Sequence, residues 1–167
     1  MVTHAISLCD RAIEAVSVVT DPELPVLTIA DLGILRGVTE HAGAVEVTIT
    51  PTYSGCPAMN AIALDVELAL VRAGIPGRVR TVLSPAWTTD WMTEDGRRKL
   101  RDYGVAPPTR STSASTGRGA LFGVDVVACP RCGSEHTERL AEFGSTSCKA
   151  LWRCLACREP FDHFRCH

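Results

Sequence analysis

Four cysteines stand in two matched pairs near the end of the chain. Cys129 and Cys132 lie in CPRCGS, Cys154 and Cys157 in CLACRE, and the spacing is C-x2-C-x21-C-x2-C. Two residues between paired cysteines let a tight turn aim both sulfurs at one ion. Four thiolates so placed make the soft, tetrahedral set that structural zinc takes. Gly133, directly after Cys132, suits a turn that needs a positive φ. The 39 residues of 129–167 bury too little to fold unaided, so a metal staple is physically required. The spacing predicts a zinc ribbon with Cys129, Cys132, Cys154 and Cys157 as ligands. Four thiolates also suit an iron–sulfur cluster, and Cys148, Cys166, His163 or His167 could replace one of the four. Cys148 and Cys166 lie outside the paired turns. Their default reading is as small buried apolar residues; the functional one is an auxiliary thiol pair beside the metal.

A lone cysteine, Cys56 in PTYSGCPAMN, sits where a loop leaving a strand meets a helix. The positive end of the helix dipole should make such a thiol more acidic, as a nucleophile or a soft metal ligand requires. A nucleophile also wants a histidine base. His4, near the start, and His41, in a hairpin turn, are not placed to serve, so thiol-protease chemistry is not expected. Asp31 in ADLGIL precedes a strand, with Gly33 allowing a tight turn. It either forms that turn or faces Cys56 across a site. Asp21 and Glu23 in DPELP have the same two readings, turn or cap formation being the default. Trp87 and Trp91 share a loop and either close over the core or present a partner surface.

The elements that must position these residues follow from periodicity. Ile6, Cys9, Ile13 and Val16 recur at helical spacing over 4–18, and Pro22 and Pro25 stop that helix. Val45, Val47 and Ile49 alternate with Glu46, Thr48 and Thr50, which predicts a half-buried strand over 44–50, paired with 34–40 around His41-Ala42-Gly43. PAMNAIALDVELALVRAG is a strongly apolar helix with proline at its start and Gly74 at its end. RVRTVL, 78–83, is a further strand. TEDGRRKLRDYG is a short polar helix capped by Thr93 and ended by Gly104. The fold class is α+β: a small α/β sandwich over 1–104, a flexible linker over 105–128 and a zinc ribbon over 129–167. The linker reading rests on two prolines followed by a Ser/Thr/Gly-rich stretch without apolar periodicity. Trp152, Phe161 and Phe164 are expected to form the ribbon's small core.

Composition narrows the function. Of eight cysteines, six fall within 129–167, which itself suggests two domains. The net charge is −2, and 129–167 carries six Lys/Arg against five Asp/Glu, so no basic stripe invites nucleic acid. No apolar run is long enough to span a membrane, and the N-terminus lacks the pattern of a signal peptide. A cytoplasmic protein is expected, in which the reducing environment argues against disulfides.

The stretches DPELPVLTIADLGIL and VEVTITPTYSGCPAM, followed by the apolar helix, resemble the iron–sulfur assembly domain of SufT-like proteins. SPAWTTDWMTEDGRRKLRDYGVAPP and FGSTSCKALWRCLACREPFDHFRCH narrow the resemblance to the PaaD family of phenylacetate-degradation proteins. That resemblance implies an accessory, non-catalytic role in maturing a metal centre of the phenylacetyl-CoA epoxidase system, whose oxygenase or reductase would be the partner. It implies structural zinc and a transient iron–sulfur cluster or iron. It places the family's characteristic cysteine at Cys56 and its acids at Asp21, Glu23 and Asp31. One cysteine is too few for a cluster, so a homodimer or a co-ligand such as Asp31 would be needed. The alternative is a non-catalytic zinc-binding adaptor for the oxygenase or reductase.

Overall fold

The computed structural model describes residues 7–108 and 126–165. The chain divides into two compact units, Met1–Trp87 and Thr88–His167.

In the first unit, helix α1 (Leu8–Val16) starts at a capping box. The Ser7 hydroxyl accepts from the Asp10 N–H at 3.0 Å, and the Asp10 carboxylate accepts in return from Ser7. Of the expected span 4–18, residues 4–6 lie outside the described residues, and the helix ends at Val16 with Ser17 as its C-cap. Strands β1 (Leu35–His41) and β2 (Ala44–Ile49) form an antiparallel hairpin. Its two-residue turn holds Ala42 and Gly43 at φ 52° and 80°, the paired positive values that match the twist of the strands. Helix α2 (Met59–Arg72) then returns the chain so that β3 (Gly77–Thr81) lies parallel to β2. Gly77 is dictated by this packing, since a Cβ there would stand 2.6 Å from a Val45 methyl and 2.7 Å from the Val45 carbonyl oxygen. Val45, Val47 and Ile49 are buried, as are Ile62, Val66 and Leu70 of α2. The segment between α1 and β1 adds Leu24, Leu27, Ile29, Leu32 and Ile34 to the core. Trp87 is buried too, and its indole N–H donates to the Leu32 carbonyl at 2.8 Å, tying the end of the unit to that segment.

In the second unit, a 3-10 turn (Thr89–Trp91) leads to helix α3 (Glu94–Tyr103). The Thr93 hydroxyl accepts from the Gly96 N–H at 2.9 Å, and Gly104 ends the helix at φ 90°. Buried Arg97 donates to the carbonyls of Thr89 and Pro108. Strands β4 (Val105–Ala106), β5 (Thr137–Ala141), β6 (Lys149–Cys154) and β7 (Pro160–Phe164) form one sheet in the order β4-β7-β6-β5. Ala106, Val127, Cys129, Ala150, Trp152, Cys154 and Phe161 make its core.

This division departs from the expected boundaries. Residues 88–104 group with the ribbon, not with the first sandwich. Val105 and Ala106, expected in a linker, are buried and pair with β7, and Val127 enters the ribbon core. The reason is apolar burial: Val-Ala before the two prolines offers an edge strand that periodicity over two residues cannot announce. The Ser/Thr/Gly-rich part at 109–125 lies outside the described residues.

Candidate functional site

The four paired cysteines converge. Their sulfurs all lie within 4.8 Å of one another, the one such group of three or more metal-ligating side chains among the described residues. Each pair sits on a knuckle built by its own backbone. The Gly133 N–H donates to the Cys129 carbonyl at 2.9 Å, with Gly133 at φ 74°. Cys154 ends β6, its N–H donates to the Glu159 carbonyl at 3.0 Å, and Arg158 takes φ 64° to close the turn. Across the knuckles, the Cys129 and Cys157 sulfurs are 3.8 Å apart and those of Cys132 and Cys154 are 3.5 Å apart. A zinc tetrahedron with Zn–S bonds of about 2.3 Å has S···S edges of about 3.8 Å. The donor set therefore fits zinc in both chemistry and size. Cys129 and Cys154 are buried, whereas Cys132 and Cys157 are exposed.

The electrostatics point the same way. N–H donation from Cys157 and Ala156 holds the Cys154 thiol down at about 6. Cys157 goes the other way. Although the Glu159 N–H favours its charged form, loss of water and the neighbouring sulfurs push it up to about 12. Crowded thiolates repel one another, and a divalent cation relieves that repulsion. Cys148 lies outside the four-sulfur group. It is buried, with its sulfur 3.1 Å from the Thr146 hydroxyl. Cys166 and His167 lie outside the described residues.

Cys56 occupies a different setting. Its N–H donates to the Tyr53 carbonyl at 3.2 Å, and its carbonyl accepts from the Met59 N–H at 3.4 Å as α2 begins. The thiol is half-buried, and burial pushes it up from its ordinary value. N–H donation from Ala58 and Met59 opposes that, but the carboxylates of Asp21 and Glu23 raise it again. The expectation of an acidified thiol is thus overturned: desolvation and two negative charges outweigh the start of the helix. Cys56 rests as a neutral thiol at neutral pH.

The acids divide between the two readings left open. Asp21 is buried, and its carboxylate caps the N–H groups of Glu23 and Leu24 at 2.8 and 3.0 Å, so it builds its turn while facing Cys56 electrostatically. Asp31 is buried in a reciprocal turn: its carboxylate accepts from the Thr28 N–H and the Thr28 hydroxyl accepts from its own N–H, both at 3.0 Å. The influence of Asp21 and Glu23 on Cys56 spans more than thirty residues and leaves no local signal; the motif resemblance alone points to it. Trp87 serves the core and Trp91 is partly exposed, so the tryptophan loop divides between its two roles.

Residues 10–84 match the family described as iron–sulfur cluster assembly protein, and residues 113–165 match the one described as PaaD zinc beta ribbon domain. An Escherichia coli protein, named as one subunit of a "Putative 1,2-phenylacetyl-CoA epoxidase", is 50% identical over 151 residues, covering 90% of this chain and 88% of that one. The "Fe-S protein maturation auxiliary factor" of Porphyromonas gingivalis is 36% identical over 85 residues, covering 49% of this chain and 80% of its own length. The crystal structure of the domain DUF59 from Bacillus anthracis superposes with a TM-score of 0.51 at 28% identity, over 56% of this chain and 91% of that one. With an assembly-domain match in its first half, a ribbon match in its last third and a relative aligned along nearly all of its length, the chain belongs to the PaaD family.

Proposed function

We propose that this protein is a non-catalytic accessory factor that helps mature a metal centre of a phenylacetyl-CoA epoxidase system, with Cys56 as the working ligand and the four-cysteine ribbon as zinc-held structure. The observation that carries the reading is the Cys56 site: a thiol half-buried in a domain matching the iron–sulfur assembly family, with the carboxylates of Asp21 and Glu23 bearing on it. A neutral thiol among negative charges is poorly set to attack carbon. It is suited to a cation, whose arrival displaces the proton and is favoured by the negative charge of the two carboxylates. The cargo is iron or an iron–sulfur cluster. A cluster commonly takes four thiolates, so other groups complete its shell during transfer, Asp31 or a client cysteine among them. The client is the oxygenase or its reductase, in the cytoplasm.

The test is reconstitution of each component with iron and sulfide, with the wild-type protein or Cys56→Ser. Iron and sulfide gained per client should fall to the unassisted level with the variant. Undiminished maturation would overturn the carrier reading. It would favour a zinc-binding adaptor.

A further inference from the structure

Solvent reaches one sulfur of each knuckle. Cys132 and Cys157 are exposed, whereas Cys129 is 2% and Cys154 0% exposed. The fold sets this difference. Ala150, Trp152 and Cys154 share one face of β6 and belong to the ribbon core, as does Cys129. Cys132 and Cys157 follow in the turns closed by Gly133 and Arg158.

The pairs cross over. The exposed Cys132 sulfur lies 3.5 Å from the buried Cys154 sulfur of the other knuckle. The exposed Cys157 sulfur lies 3.8 Å from the buried Cys129 sulfur. A disulfide needs about 2.05 Å, so less than about 2 Å of movement would join either pair. Zinc requires the four sulfurs to converge and is indifferent to which of them solvent reaches. An accessible cysteine with a second cysteine beside it is the arrangement that oxidation uses, the first sulfur reacting and the second resolving it.

We infer that Cys132 and Cys157 are oxidative modification sites for hydrogen peroxide, each resolved by the buried cysteine of the opposite knuckle, so that oxidation exchanges the ribbon's zinc for disulfide bonds. The inference rests on the ribbon holding zinc, as read above. First, the Cys132 thiolate attacks one oxygen of the peroxide. An S–O bond forms, the O–O bond breaks and hydroxide leaves. Next, the Cys154 thiolate attacks that sulfur. The S–S bond forms, the S–O bond breaks and a second hydroxide leaves. The two sulfurs give up two electrons, the peroxide takes both, and two protons from solvent turn the hydroxides into water. Zinc is held by thiolates, so a disulfide removes two of its ligands and the ion leaves. Cys157 and Cys129 follow the same course with a second peroxide. Reducing thiols reverse the disulfides by exchange, and zinc then rebinds.

Native mass spectrometry of the full chain before and after hydrogen peroxide reads the zinc. Peptide mapping without reduction reads the disulfides. Trypsin cuts after Arg131 and Arg153, so Cys129, Cys132 and the turn with Cys154 and Cys157 fall on three separate peptides. At limiting peroxide, zinc should be lost in step with a link from Cys132 to Cys154, located by fragmentation. Reductant with added zinc should restore the starting mass. A chain without zinc before peroxide would overturn the zinc reading, and the inference with it. Zinc retained after peroxide would overturn the exchange alone. Zinc lost with Cys132 and Cys157 carried to sulfinic or sulfonic acid would also overturn it, because those products do not return on reduction. A link between Cys129 and Cys132 would overturn the crossed pairing.

Discussion

The first unit packs Val45, Val47 and Ile49 of its sheet, and Ile62, Val66 and Leu70 of its helix, into a core that contains no cysteine among the described residues. The ribbon core has seven members, and two of them, Cys129 and Cys154, belong to the four-sulfur group. Cys56 therefore lies outside the core of its unit, half-buried where a loop meets a helix start. The ribbon cysteines are the fold. The first arrangement leaves a half-buried thiol outside the core. The second places two members of the metal-ligating set inside the core itself.

That contrast can be broken most forcefully by removing metal. Apparent zinc affinities of about 10–16 kcal/mol match or exceed the whole stability of a domain, about 5–15 kcal/mol. Chelation, or Cys154→Ser, should abolish the ribbon's amide resonance dispersion in a nuclear magnetic resonance spectrum and leave that of the first unit in place. Retention of a folded ribbon without metal would end the comparison. A cavity in the first unit comes next. Ile62→Ala should cost about 2–5 kcal/mol in urea unfolding, whereas Cys56→Ser should cost about 1 kcal/mol or less. Equal costs would make Cys56 part of the core. Trp87→Phe keeps most of the apolar area but leaves the Leu32 carbonyl without its indole donor. A loss of about 1–3 kcal/mol is expected, read from the same urea curves.

The smallest effect concerns pH. The folded Cys56 thiol titrates above its unfolded value, so its protonated form favours folding. That contribution is complete below the unfolded pKa and is lost as pH rises through the folded one. Alkylation of Cys56, followed by peptide mass spectrometry, should show its rate rising at higher pH than for a free thiol. Asp21→Asn with Glu23→Gln should shift the rise downward while keeping the oxygen acceptor at position 21. A rise below that of a free thiol would restore the acidified cysteine that its position before α2 suggests.

Much of this was legible in local pattern. The alternation over 44–50, the Ala42-Gly43 turn, the Thr93 cap and the Gly104 stop each act within a few residues, and each stands where periodicity and turn chemistry set it. The C-x2-C pairs were legible because two intervening residues suffice to aim two sulfurs, wherever the rest of the chain goes. The two-residue strand at Val105–Ala106 was not, because pairing with β7 is a contact between segments more than fifty residues apart. The state of Cys56 escaped for the same reason. Position before a helix is written in sequence and argues for a lower pKa. Burial and the approach of Asp21 and Glu23 exist only once the segment before β1 folds against the loop before α2. Local chemistry thus determined which residues could act and where the turns fall. Tertiary packing decided which of them meet, because desolvation and charge depend on distance through space and not along the chain.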